Sequence, residues 1–166
     1  MEFRKSIMVK QPIHQVWDLL GNQYGEADKW ASGLFHSEAI GEPKIQGAVC
    51  NNRTCEISSG TIKEEVRKFD AKNHILSYEV IEGFPFFVDQ AINTWTLQAQ
   101  GKNTLVNMHL VMTTKGFIGK LMQPMLKLQM NSLLQHAIED FKHYSETGKP
   151  SPRKAKELAK LAKRAA

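Results

Sequence analysis

GKLMQPMLKLQMNSLLQHAIEDFKHYSET, residues Gly119 to Thr147, is the stretch on which the reading of this chain turns. Ile118, Met122, Met125, Leu126, Met130, Leu133, Leu134, Ala137, Ile138 and Phe141 recur at three- and four-residue spacing. That spacing lays them along one broad apolar stripe, so the segment is a long helix. Pro124 sits near its start, where a proline kinks a helix. Gly148 followed by Pro150 ends it. A helix of this length needs an apolar surface to lie on.

The residues upstream supply that surface, and there the period changes from 3.6 to two. Val49 to Ile57, Thr61 to Phe69, Ile75 to Ile81, Val88 to Ala99 and Thr104 to Thr113 alternate as strands. Ser58-Ser59-Gly60, Asp70-Ala71-Lys72-Asn73 and Gln100-Gly101-Lys102-Asn103 are short turns, which make an antiparallel meander. The Gly83-Phe84-Pro85 link is longer and apolar, as befits a loop at a pocket mouth. Phe3 to Val9 adds one more strand. A short helix follows Pro12, with Ile13, Val16, Trp17 and Leu20 on one side, and a second covers Glu26 to Ala31 with Trp30 buried. The expectation is an α+β fold: a curved antiparallel sheet of five or six strands wrapped around one C-terminal helix, with an apolar cavity between them.

Strand parity picks out polar residues among apolar neighbours. Val49, Asn51, Arg53, Cys55 and Ile57 share one face, as do Ile62, Glu64 and Val66. Tyr78 goes with Leu76 and Val80, and Asn93 with Ala91, Trp95 and Leu97. The last strand points Val106, Met108, Leu110 and Met112 inward, and Asn107 and His109 outward. An unpaired charge is costly in such surroundings, so Arg53 needs a partner, and Glu64 is the candidate. Two readings stay open. One is a buried polar network that only satisfies itself. The other is a ligand pocket with a few polar groups in an apolar wall, drawn from Asn51, Arg53, Glu64, Tyr78, Phe87, Asn93, Trp95, Met108, Met122 and Met125. Arg53 and Tyr78 could also polarise a carbonyl while Glu64 serves as a base, the chemistry of a cyclase or dehydratase. Asp89, at a strand start, is expected to be exposed, and His136, Asp140 and His143 to form the solvated side of the long helix.

Composition excludes several classes. No run approaches the roughly 20 apolar residues of a bilayer span, and Met1-Glu2-Phe3-Arg4-Lys5 lacks the core of a signal peptide, so a cytoplasmic setting is expected. The six histidines have no metal-ligand spacing, and neither a metal nor a cofactor is expected. Cys50 and Cys55, if on one strand, lie about 16 Å apart on opposite faces and do not pair. The net charge of +5 is a property of the tail: from Lys149 onward seven bases face one acid, leaving the remainder at −1. That argues against a nucleic-acid-binding surface on the body. The chain divides into residues 1–148 and a basic tail, 149–166. The tail has good helix formers, with Ala155, Leu158, Leu161 and Ala165 on one side. It reads as a solvated, partly frayed helix, with weak contact to an anionic membrane or a protein as its functional alternative.

The order of motifs resembles the polyketide cyclase/dehydrase-like branch of the START-related (SRPBCC, birch-pollen-allergen-like) superfamily. The residues carrying it are Lys10-Gln11-Pro12-Ile13-His14-Gln15-Val16-Trp17, then Trp30, then Gly47 with Asn52-Arg53-Thr54-Cys55. They continue with Glu64 to Asp70, Leu76-Ser77-Tyr78, Pro85-Phe86, Asn93-Thr94-Trp95, and the helix and tail from Gly119 to Lys154. Lys10-Gln11 departs from the smaller apolar residues commoner there. The resemblance implies a helix-grip fold with an apolar cavity between sheet and long helix, and the expected function is binding of a small hydrophobic molecule such as a lipid, isoprenoid or polyketide. A cyclase/dehydratase is the alternative it allows.

Overall fold

The structure, a computed structural model, describes residues 1–165. Seven strands form one antiparallel sheet: β1 (Glu2–Val9), β2 (His36–Ile40), β3 (Asn52–Ile57), β4 (Gly60–Asp70), β5 (Ile75–Glu82), β6 (Val88–Gln100) and β7 (Asn103–Thr114). Their order is β1-β7-β6-β5-β4-β3-β2, so β2 to β7 run as an uninterrupted meander and β1 closes on β7. Helix α1 (Ile13–Trp17) continues as a π-turn over Asp18–Asn22 and a 3₁₀ segment over Tyr24–Lys29. Helix α2 (Gly116–Thr147) follows the sheet, and α3 (Pro152–Ala165) ends the described chain. Gly148 terminates α2 with φ +67°, its N–H donating to the Tyr144 carbonyl at 2.8 Å. Only glycine enters that left-handed conformation without steric cost.

The inward faces match the parity of β4, β6 and β7. Ile62, Glu64 and Val66 are buried, as are Ala91, Asn93, Trp95 and Leu97, and Val106, Met108, Leu110 and Met112. On β4 a bulge between Val66 and Lys68 resets the alternation and turns Phe69 inward. Trp30, Trp95 and Phe141 meet at centroid separations of 5.1 to 6.3 Å and fill the space between the sheet and the C-terminal half of α2.

Several expectations are corrected. Residues 36–40 form a strand whose sequence, His-Ser-Glu-Ala-Ile, shows no apolar alternation; β2 is a largely exposed edge that buries only Ser37. Val49 to Asn51 lie outside β3, and Val49 is exposed. Cys50 and Cys55 therefore do not share a strand; both are buried and free. Ile118, Met125 and Leu133, assigned to the inner stripe of α2, are half exposed.

Asp140, expected on a solvated face, is buried. Its carboxylate accepts from the Ser151 hydroxyl at 2.5 Å, Arg153 Nη1 at 3.2 Å and the Ser32 N–H at 3.0 Å. The start of the tail is accordingly packed, not frayed. Lys154 is wholly buried, donating to the Leu34 carbonyl at 2.6 Å and Glu157 at 2.7 Å, while Glu157 accepts from the Gly33 N–H. Polar residues seat α3, and Ala155 and Leu158 on its apolar side are exposed.

Candidate functional site

The polar residues singled out by parity meet across β3, β4, β5 and β6. Arg53 and Glu64 are directly opposed in the β3–β4 register, and Tyr78 and Asn93 in the β5–β6 register. Arg53 reaches Glu64 Oε2 through Nε at 2.7 Å and Nη2 at 2.5 Å. The Tyr24 hydroxyl donates to the same oxygen at 3.1 Å, and Arg53 Nη1 donates to the Tyr24 carbonyl at 2.8 Å. The guanidinium lies 4.0 Å from the Tyr24 ring centroid and 5.2 Å from that of Tyr78, a cation held between two aromatic faces.

Burial works against the Arg53 charge, yet the Glu64 carboxylate beside it carries its pKa well above the ordinary value. Burial, reinforced by the Glu64 charge, pushes the Tyr78 hydroxyl up. Burial likewise pushes the Tyr24 hydroxyl well up against the opposing field of Arg53. Both phenols stay protonated at neutral pH, and Tyr24 donates its proton to Glu64.

Beyond the ion pair the polar groups are not all satisfied. The Tyr78 oxygen accepts from Asn93 Nδ2 at 2.9 Å and Trp95 Nε1 at 3.4 Å, with no acceptor recorded for its own proton. Asn93 Oδ1 and Trp30 Nε1 are buried and without partners. With the Asn93 amide turned over, Oδ1 would accept the Tyr78 proton and Nδ2 would be left without a partner, so an Asn93 group is unpaired in either orientation. Trp30, Tyr78, Trp95 and Arg53 line a cavity of about 20 Å³ together with Leu19, Leu20, Gln23, Tyr24 and Leu76. That is room for one water or one hydroxyl group.

A second, larger pocket of about 230 Å³ lies at the β5–β6 link. Val80, Phe84, Val88 and Ala91 line it, along with Phe86 and the backbone around Gly83, and Glu82, Asp89, Gln90 and Lys115 make its lining polar as well as apolar. The apolar Gly83-Phe84-Pro85 segment thus stands at a pocket. Val80 and Ala91 sit two residues beyond Tyr78 and Asn93 on the same strands and the same face, about 7 Å further along.

Of the ten candidate ligand residues, Arg53, Tyr78 and Trp95 border the small cavity, and Glu64 and Asn93 bond to its walls. The others stand apart. The Asn51 amide is turned to Asn52 Oδ1 at 2.7 Å. Met108 is packed in the core, Phe87 stacks edge-on against Phe86, Met122 is only partly buried, and Met125 faces outward. Tyr24 was not foreseen, because the irregular segment carrying it has no period. Among the described residues no group of three or more His, Cys, Asp or Glu is arranged to hold a metal ion, and no helix is long and apolar enough to cross a membrane.

A sheet curved around a long C-terminal helix, with a polar cluster on its concave face, defines the START/birch-pollen-allergen-like helix-grip class. Residues 1–146 match the model of the family described as polyketide cyclase / dehydrase and lipid transport, and the chain belongs to that family. Similar solved structures include a START superfamily protein from Mycobacterium smegmatis (12% identity, 87% of this chain and 96% of that one, TM-score 0.70). The di-domain ARO/CYC BexL from the BE-7585A biosynthetic pathway is another (13%, 86% and 45%, 0.68). A third is Ara h 8.0201 (12%, 87% and 97%, 0.64). At these identities the likeness is one of fold. A search of curated proteins gave no match.

Proposed function

We propose that residues 1–148 form a binding domain for a small hydrophobic molecule that ends in a hydroxyl or carbonyl group. The observation that carries this reading is the unspent hydrogen bonding at Asn93 and Trp30, beside the Tyr78 hydroxyl and the buried Arg53–Glu64 pair. A buried polar group without a partner costs about 1–3 kcal/mol, and a ligand hydroxyl could accept from Tyr78 while donating to Asn93 Oδ1. The pocket two residues further along β5 and β6 would take the rest of the molecule, with Val80, Phe84, Val88 and Ala91 against its apolar part. A lipid, isoprenoid or polyketide has this chemistry, and the family description covers both transport and cyclisation.

The cyclase reading asks Glu64 to act as a base. Its Oε2 already receives three donors, two from Arg53 and one from Tyr24, which favours a structural role. The test is native mass spectrometry of freshly purified protein with identification of anything released on denaturation. It is paired with titration of emptied protein by decanol, read through Trp30 and Trp95 fluorescence. A co-purifying apolar alcohol or ketone, or saturable decanol binding weakened by Tyr78→Phe, is expected. An empty protein with no fluorescence response would overturn the proposal.

A further inference from the structure

Helix α2 has two apolar faces. Gly119, Met122, Leu126 and Met130 turn toward the sheet. Phe117, Leu121 and Leu128 fall within about 40° of one another on the opposite side of the helix. They are 80%, 68% and 74% exposed, and Pro124 lies in the same stripe. Phe86, 72% exposed, belongs to the same end of the molecule, because the Lys115 N–H donates to the Phe87 carbonyl at 2.9 Å and ties the β5–β6 link to the start of α2. Large apolar side chains grouped in this way on a water-soluble surface mark a contact site.

Along the helical stripe the exposed charge is of one sign, whereas Glu82 and Asp89 stand with Phe86 at the β5–β6 link. No Asp or Glu occurs between Asp89 and Glu139. Lys115, Lys120 and Lys127 are exposed, and among the described residues only Lys115 has a carboxylate, Asp89, within reach at 3.7 Å. Lys120 and Lys127 flank the apolar stripe on one side. A second copy of the helical stripe, laid against this one, would bring Lys120 and Lys127 against lysines with no acid on the stripe to answer them. Leucine and phenylalanine flanked by lysine, without acids, is the pattern of a helix lying in the interface of an anionic membrane.

We propose that this outward face of α2, with Phe86, docks on an anionic lipid membrane, its apolar side chains below the headgroups and Lys120 and Lys127 at the phosphates. The C-terminal half of α2, fixed by Phe141 and Asp140, holds the face in place. The inference is independent of the ligand reading, since vesicle binding is measured without a ligand.

The experiment is flotation of the full chain with vesicles of phosphatidylcholine alone or mixed with phosphatidylglycerol. Binding to the mixed vesicles, weakened by high salt, is expected. F117S/L121S should lose about tenfold or more of the partition. K120E/K127E should lose most of it, while K156E/K160E/K163E in α3 should retain at least half. All these positions are exposed, so unchanged melting will show that folding is intact. The proposal is overturned by no binding to either vesicle, by full binding of F117S/L121S, or by loss only in the α3 variant. A wild-type dimer that F117S/L121S converts to monomer would also overturn it, assigning the face to self-association.

Discussion

Arg53 and Glu64 stand directly across from each other on β3 and β4, and both guanidinium contacts, at 2.5 and 2.7 Å, fall on the single oxygen Oε2. Each charge is buried, so each is tolerable only while the other is present. Removing one partner from such a pair costs about 3–5 kcal/mol, whereas replacing both by apolar residues of similar size is close to neutral. Glu64→Gln and Arg53→Met are therefore expected to be strongly destabilising in urea titration, with the double Arg53→Met, Glu64→Leu variant recovering most of the loss. A Glu64→Gln protein as stable as wild type would show that the pair does not hold the sheet.

The same burial predicts alkaline weakening. Desolvation pushes the Cys55 thiol from 9.0 to about 11. Below pH 9 folded and unfolded chains both keep this proton. Between about 9 and 11 only the folded chain does, so ionisation drives unfolding and stability falls by on the order of 2–3 kcal/mol. Tyr24 and Tyr78, also pushed up by burial, extend the loss upward in pH. Melting temperatures across this range should fall less steeply for Cys55→Ala. A parallel decline in both proteins would exclude Cys55 as a contributor.

Gly83 is predicted to tolerate no side chain. Its φ is +94°, and a Cβ there would lie 2.3 Å from the Thr61 carbonyl oxygen. Strain and clash together place Gly83→Ala at roughly 2 kcal/mol or more of destabilisation. The link between β5 and β6 would shift away from β4 and reshape the larger pocket. Chemical denaturation with and without decanol separates the two effects, and an unchanged midpoint would contradict the close approach.

Asp140 anchors the tail through Ser151, Arg153 and the Ser32 N–H. Asp140→Ala removes the acceptor of the buried Ser151 hydroxyl and the part-buried Ser32 N–H, while Arg153 keeps Glu139, and should cost about 2–4 kcal/mol. It should also release α3, so trypsin cleavage at Lys154 and Lys156 is expected to accelerate well before global unfolding. Equal digestion rates would mean that Lys154 and Glu157 hold α3 unaided.

The strands and the long helix were legible because burial on one face writes a period into the sequence. Ile62, Glu64 and Val66, and the run from Val106 to Met112, follow that rule. Strand β2 was not legible because an edge that buries only Ser37 has no alternation to show. The pairing of Arg53 with Glu64 could be read from parity. The sandwiching of Arg53 by Tyr24 could not, since an irregular π- and 3₁₀-turn brings that ring into place. Asp140 was misread for a related reason. Its burial comes from Ser32, Ser151 and Arg153, which no local period connects to it. The stripe read from spacing on α2 leaves out Phe117, Leu121 and Leu128, which are exposed, but it is too broad, since Ile118, Met125 and Leu133 within it are half exposed.

The bond from Lys154 Nζ to the Leu34 carbonyl joins residues 120 positions apart. During synthesis the loop at Ser32 to Leu34 is made early and waits for its partners until residue 154 has been added. Trp30, a few residues before that loop, waits in the same way for Phe141. The early third of the chain therefore reaches its final packing only after more than a hundred further residues have been added. Loop closure over such separations is slow, and the exposed aromatic residues of that interval are the point at which a chaperone would be needed.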